Sequence, residues 1–197
     1  MNVVLVEGSP RRGGNTASMG ALLARRLRAG AAEVTRFSVA EQYFAPCEGC
    51  NACLTTGDCA LRSGRDYMPG FYAALDSCDA LLWVTPVYFA GLPAQLKALI
   101  DRFQVYYGRR LLRGKPVAPR RPAAAIIIGA GGDPFGAKAA VSILRSASQM
   151  AEFTLANPLV IFGPDAPGDI DDERFAEDRV AARLLVEALR ERALSRA

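Results

Sequence analysis

The sequence predicts an α/β domain built on one doubly wound, parallel five-stranded sheet of order 2-1-3-4-5. Three observations predict it. Short apolar runs alternate with segments whose apolar residues recur at helical spacing. The runs are apolar on both faces, as strands covered by helices on each side must be. Five such strand–helix units fit within 197 residues, an ordinary single-domain length, and no repeat, low-complexity tract or linker interrupts them.

Asn2 to Glu7 reads as the first buried strand, broken by the Gly- and Pro-bearing stretch Gly8 to Asn15. Met19, Leu22, Leu23 and Leu27 then place a helix over about Thr16 to Arg28. Glu33 to Ser38 gives a second strand, while Ala45 to Gly64 carries cysteines and no strong period. Asp66 can cap a helix with Pro69 in its first turn, running toward Cys78. Ala80 to Thr85 is the third strand, with Trp83 in the core, and Pro86 to Pro93 is a turn. Leu96, Leu99, Ile100 and Phe103 form the apolar stripe of the next helix. Pro122 to Gly129 is a fourth strand, Ala137 to Met150 a helix and Leu155 to Phe162 a fifth strand. The last helix spans about Asp171 to Ala193, its acidic start and arginine-rich end suiting the helix dipole. This succession is flavodoxin-like. In such sheets ligands sit at the carboxyl ends of the strands, so the loops after the first, third and fourth strands form one site.

Composition closes several routes. The chain has no histidine, which excludes Ser-His-Asp or Cys-His nucleophiles, imidazole-ligated zinc and His-ligated haem. Half the residues are hydrophobic, so a core forms, yet no apolar run is long enough to span a bilayer. The N-terminal residues show no basic leader or small-residue cleavage site, and the chain reads as cytoplasmic. The net charge of +4 is too small to argue for nucleic acid. Arg109, Arg110, Arg113, Lys115, Arg120 and Arg121 form a basic stretch that reads first as solvated charge and second as a docking face for an acidic partner.

The loop Gly8-Ser9-Pro10-Arg11-Arg12-Gly13-Gly14-Asn15-Thr16 enters from a strand and leaves into a helix, so N–H groups and the positive helix end face one point. Ser9, Asn15 and Thr16 add donors and Arg11 or Arg12 adds charge, which suits a phosphate dianion. It is neither a dinucleotide fingerprint nor a P-loop, because Gly14-Asn15 stands where a P-loop has its Lys-Ser/Thr. A plain Gly-rich helix cap is the rival reading. The second loop offers Pro86, Val87, Tyr88, Phe89 and Gly91 as apolar, aromatic and backbone walls for a flat ring. The third, with Gly131 and Gly132, lets backbone approach a ligand closely.

Gly8-Ser9-Pro10-Arg11 with Asn15-Thr16, then Pro86-Val87-Tyr88-Phe89 with Pro93-Ala94-Gln95-Leu96-Lys97-Ala98-Leu99-Ile100-Asp101-Arg102, resembles the NAD(P)H-dependent FMN reductase family. The resemblance covers the first two-thirds of the chain well and the last third poorly. It implies non-covalent FMN, NAD(P)H as a possible electron donor and a homodimer or homotetramer. Ser9, Arg11, Asn15 and Thr16 would hold the phosphate, and Pro86 to Phe89 would line the ring.

Cys47-x2-Cys50-x2-Cys53-x5-Cys59 places four thiols in 13 residues, a compactness suited to one [4Fe–4S] cube. Four-thiolate zinc is the alternative, although zinc sites more often pair two C-x2-C knuckles across a longer gap. Cys78 stands apart and reads as a buried thiol. Within the family, the spacing resembles the iron–sulfur flavoproteins, which implies a cysteine-rich loop at about 45–65 on the flavin's sheet edge, in the same or a neighbouring subunit. An acidic pair expected near the following helix is replaced by Asp66-Tyr67, and the segments Asp133 to Gly136 and Gly163 to Ile170 are atypical.

The reading is therefore an FMN oxidoreductase passing electrons from NAD(P)H or a carrier to a small-molecule or protein acceptor through a [4Fe–4S] cluster, without membrane or nucleic acid. Its alternatives are a cluster-free reductase of quinones, nitro compounds or free flavin, and a zinc-stapled binding module without redox activity.

Overall fold

A computed structural model describes residues 1–61, 64–114 and 120–195; Lys115 of the basic stretch lies outside them. The strands are β1 (Asn2–Glu7), β2 (Glu33–Ser38), β3 (Ala80–Pro86), β4 (Arg121–Gly129), β5 (Phe153–Leu155) and β6 (Leu159–Phe162). The helices are α1 (Asn15–Ala29), α2 (Cys53–Thr56), α3 (Met68–Ser77), α4 (Ala94–Asp101), α5 (Gln104–Arg113), α6 (Lys138–Met150) and α7 (Ala176–Leu194). All strand pairs are parallel, in the order β2-β1-β3-β4-β5, with β6 also on β4. This is the expected flavodoxin-like sheet.

Every second residue of the central strands faces one of two apolar layers. Val4, Val6, Leu81, Trp83, Ala125 and Ile127 pack under α3, α4, α5 and α6. Val3, Leu5, Leu82, Val84, Ala124 and Ile126 pack under α1 and α7. Covering both faces is what makes the strands read as continuous apolar runs. Trp83 is fully buried, and its indole N–H donates to Ser148 Oγ at 3.1 Å.

Two boundaries and the reading of the basic stretch differ from expectation. The fifth strand is split: β5 pairs with Arg121–Ala123 and β6 with Ile126–Gly129, separated by 156–158, where Pro158 has no N–H to give a ladder. The acidic start of the last helix folds instead as two 3₁₀ turns, Asp169–Asp171 and Glu173–Phe175, because Asp172 is extended and its carboxylate accepts from Arg174 N–H. Half of the basic stretch lies in the helix α5, and three of its arginines are structural ties. Arg109 binds Asp76 at 2.9 Å, Arg113 binds Glu152 at 3.1 Å, and Arg121 donates to the carbonyls of Leu75 and Cys78 while lying over the Phe153 ring. Those acids are distant in sequence, which is why the stretch reads as unpaired.

Cys78 is buried beneath α3, and burial pushes its thiol up to about 11 from 9.0. The neutral thiol is the form the fold favours, so its share of stability is intact below pH 9 and is lost as pH rises toward 11. At about 1.4 kcal/mol per pH unit this amounts to roughly 2–3 kcal/mol. Urea unfolding measured across that range should show the decline, and Cys78→Ala should remove this component of the slope.

Candidate functional site

Gly8 ends β1 in a tight passage. Its N–H donates to Val84 O at 2.8 Å, and a Cβ there would lie 2.4 Å from Leu96 and 2.6 Å from Thr85 Oγ1. Only glycine brings the following loop this close to β3 and α4. The chain then reaches Gly14, the N-cap of α1, and no side chain among the described residues caps that helix. The N–H groups of the first turn are thereby left for an external acceptor, reinforced by the helix dipole.

A cavity of about 120 Å³ opens at this point, lined by Ser9, Arg11, Gly14, Asn15, Thr16, Pro86, Val87, Tyr88, Ile128, Gly129, Ala130, Pro164, Asp165 and Pro167. The loops after β1, β3 and β4 therefore meet at one site, as the topology requires. The space is smaller than the 300–1,000 Å³ or so of pockets that enclose a drug-sized ligand. It suits an anionic group with its short chain and leaves a flat ring to lie against the rim.

Four expected residues are not on the cavity wall. Phe89 and Ala90 both adopt left-handed backbone, with φ of 48° and 59°, at the tip of a hairpin closed by Tyr88 and Gly91. The Phe89 ring stands fully in solvent, and Gly91 belongs to the hairpin rather than the wall. Gly131 and Gly132 are exposed with φ of 95° and 82°, shaping the turn beyond Ala130. Two left-handed non-glycine residues in succession are a strained arrangement, of the kind that clusters where ligands bind.

Asn15 lines the cavity, but its amide is engaged elsewhere. Nδ2 donates to Ala166 O at 2.9 Å, while Oδ1 accepts from Gly168 N at 3.0 Å and Ile170 N at 3.2 Å. The atypical segment after β6 is thus a strap tied to the start of α1. Its Pro164, Asp165 and Pro167 form a wall that the sequence reading did not supply, although two prolines around Asp165 were a visible sign of a rigid turn. Ser9 Oγ accepts from Arg11 N at 3.1 Å, holding the loop's bend, and Thr16 is buried.

The four cysteines line a second cavity, of about 360 Å³, with Glu48, Gly49, Asn51, Ala60, Leu61, Arg102, Gln104 and Val105. The two cavities share no lining residue, so the cysteine loop does not enter the strand-end site of its own chain. Cys47 and Cys50 are exposed and Cys53 is buried on the short helix α2. Burial, with Cys47, Cys59 and Cys50 nearby, pushes the Cys53 thiol up. Among the described residues, no three Cys, Asp or Glu side chains gather closely enough to hold a metal ion. The thiols thus share a cavity without converging.

Two contacts seat this loop. A Cβ at Gly108 would stand 2.2 Å from the carbonyl oxygen of Cys53, so α2 lies directly on α5 only because position 108 is glycine. Arg102, between α4 and α5, is almost fully buried and pairs with the buried Asp66 carboxylate. It also reaches Ala45 O at 3.4 Å and Cys59 Sγ at 3.3 Å. Burial alone would lower its pKa; the bonds to Asp66 and Cys59 outweigh this and raise it. The signal for Arg102 was present in the sequence as a charge set inside the apolar stripe Leu99, Ile100, Phe103.

Comparison with known proteins places the chain in a family. The family model described as NADPH-dependent FMN reductase matches residues 1–165. An iron–sulfur flavoprotein of Archaeoglobus fulgidus is 32% identical over 115 residues, 58% of this chain and 51% of that protein. One of Methanosarcina thermophila is 35% identical over 103 residues, 52% of each. The chain spans about half the length of these curated relatives. An NAD(P)H:quinone oxidoreductase from Methanothermobacter marburgensis superposes with a TM-score of 0.70 at 15% identity, covering 96% of this chain and 97% of that one. An NADH:FMN oxidoreductase superposes at 0.61 and 18% identity, covering 98% and 89%. At such identities the superpositions speak for the fold.

Two substitutions separate the roles assigned here. Asn15→Ala should release the strap, seen as at least tenfold faster amide exchange over residues 164–170 with the rest of α1 unchanged. Gly108→Ala should cost about 1–3 kcal/mol in urea unfolding, because the added methyl meets backbone that cannot turn away.

Proposed function

Because the chain belongs to the NADPH-dependent FMN reductase family, we propose that it is an FMN-dependent oxidoreductase of the iron–sulfur flavoprotein kind. In this reading it takes electrons from NAD(P)H or a reduced carrier and passes them to a small-molecule or protein acceptor, working as a homodimer or homotetramer. One observation carries the flavin part: three strand-end loops and an uncapped helix N-terminus meet on a single small cavity.

The first-turn N–H groups of α1, Ser9, Thr16 and Arg11 would hold the phosphate. Asn15 contributes its backbone, its amide being engaged by the strap. Pro86, Val87 and Tyr88 with Gly129 and Ala130 would support the ring. Phe89, Gly91, Gly131 and Gly132 shape the outer rim, where a second reactant arrives. FMN supplies hydride acceptance and single-electron release, so no side chain has to act as acid or base. That fits a chain without histidine.

The cysteine cavity fits an anionic iron–sulfur cluster on two grounds. Four thiols are the ligand set that a [4Fe–4S] cube needs, and all four line one space. Arg102 on the same wall places Nη2 3.3 Å from Cys59 Sγ and keeps a buried Nε–H without a partner among the described residues. The cluster would supply one-electron transfer. Because the thiols stand apart, the loop has to close on its load. The same separation favours a second reading, a cluster-free reductase of quinones, nitro compounds or free flavin.

Anaerobic purification with FMN, followed by absorption and metal analysis, tests both. The expected result is one FMN per chain with quenched fluorescence, plus about four irons and a broad visible band that bleaches with dithionite. Cys47→Ser, Cys50→Ser, Cys53→Ser and Cys59→Ser should each lose iron and keep FMN. FMN without iron selects the cluster-free reductase; protein that binds zinc and no flavin overturns the proposal.

A further inference from the structure

The cysteine cavity has one polar wall that the Cys-x2-Cys-x2-Cys-x5-Cys motif does not supply. Arg102 lies at the junction of α4 and α5 with only 1% of its surface exposed. Its three nitrogens are used unequally. Nη1 binds the Asp66 carboxylate and, at 3.4 Å, Ala45 O; Nη2 lies 3.3 Å from Cys59 Sγ; Nε is buried with no partner among the described residues.

A guanidinium buried for packing alone would be expected to fork both its outer nitrogens onto the carboxylate, the arrangement that best offsets its desolvation. Here the fork is divided. One nitrogen holds the acid, a second faces a thiol that lines the cavity, and the third, Nε, is buried without a partner among the described residues. The carbonyl of Arg102 is meanwhile held by the Tyr72 hydroxyl at 2.8 Å, which fixes the backbone from which the side chain projects. Asp66 Oδ1 accepts from Met68 N at 3.1 Å and from Ala45 N at 3.4 Å, so the acid is itself oriented. Both ends of the cysteine loop, Ala45 and Asp66, are therefore tied to the side chain that touches Cys59.

We infer that Arg102 is a positioning residue for the iron–sulfur cluster: it holds Cys59 toward the cavity, and its N–H groups donate to sulfur there and raise the cluster's reduction potential. Hydrogen bonds to cluster sulfur and nearby positive charge stabilise the reduced, more negative state, and such outer contacts are among the main determinants of potential. Asp66 keeps the guanidinium in place and charged. The inference rests on the reading that these cysteines hold a cluster.

The test uses the full chain with FMN, reconstituted anaerobically with iron and sulfide. Wild type is compared with Arg102→Lys and with the double variant Asp66→Asn/Arg102→Gln, which leaves no buried unpaired charge. Iron per chain, FMN per chain, thermal unfolding of the cluster-free protein and an optical redox titration are measured. Arg102→Lys is expected to bind FMN as wild type does and to shift the cluster's reduction equilibrium at least tenfold toward the oxidised form. For one electron that is about 59 mV more negative. The double variant is expected to shift the same way, or to lose iron while retaining FMN and its unfolding temperature.

Variants that load four irons at an unchanged potential overturn the inference and leave the ion pair a structural tie, as does unfolding of both cluster-free variants. If wild type itself takes up no iron, the cluster reading has failed first, and this inference falls with it; the wild-type arm makes the two failures distinct.

Discussion

The Arg102–Asp66 ion pair is the constraint around which the unusual part of this molecule is arranged. It joins the start of the cysteine loop at Ala45, the end of that loop at Asp66, one cysteine within it and the junction of α4 with α5. Both side chains are withdrawn from water, so each makes the other tolerable. Removing one partner of such a pair strands a buried charge, at a cost of about 3–5 kcal/mol. A loop of some twenty residues with one short helix has little apolar surface with which to hold itself. It is held by this pair, by the seat of α2 on Gly108, and by Arg109 reaching Gly57 O and Asp76.

The strand-end site obeys a different economy of forces. It needs no buried charge, because backbone does most of the work: a helix with no capping side chain, two turns with left-handed residues, and a glycine that lets the first loop lie against Thr85 and Leu96. The parallel sheet places these turns on one edge by topology alone. The strap after β6 adds what topology does not. By engaging Asn15 it reaches the start of α1 and adds Pro164, Asp165 and Pro167 to the cavity wall. Two chemically different sites thus sit on one scaffold without sharing a residue.

Much of the scaffold was legible because its determinants are local. Apolar runs, helical stripes and the Gly-Pro turns between them fix the strands and most helices within a residue or two, and the absence of histidine excluded whole chemistries. What local sequence does not show has a common cause in distant partners. Pro158 divides a strand whose two halves are recognisable only from their separate pairing with β4. The arginines of α5 look unpaired until Asp76 and Glu152 come alongside. Asn15 has the chemistry of a phosphate ligand, and only the strap reveals where its amide goes.

By itself the sequence determined the fold class, the edge on which loops 8–16 and 86–88 meet, and the set of four thiols, because strand periodicity, turn chemistry and cysteine spacing are properties of neighbouring residues. Only the tertiary structure decided that Phe89, Gly91, Gly131 and Gly132 stay off the cavity wall, that a strap closes it, and that Arg102 faces Cys59. The strap and the Arg102–Cys59 contact join residues separated by 43 to 155 positions. No local pattern encodes such a meeting; packing of the two apolar layers brings it about.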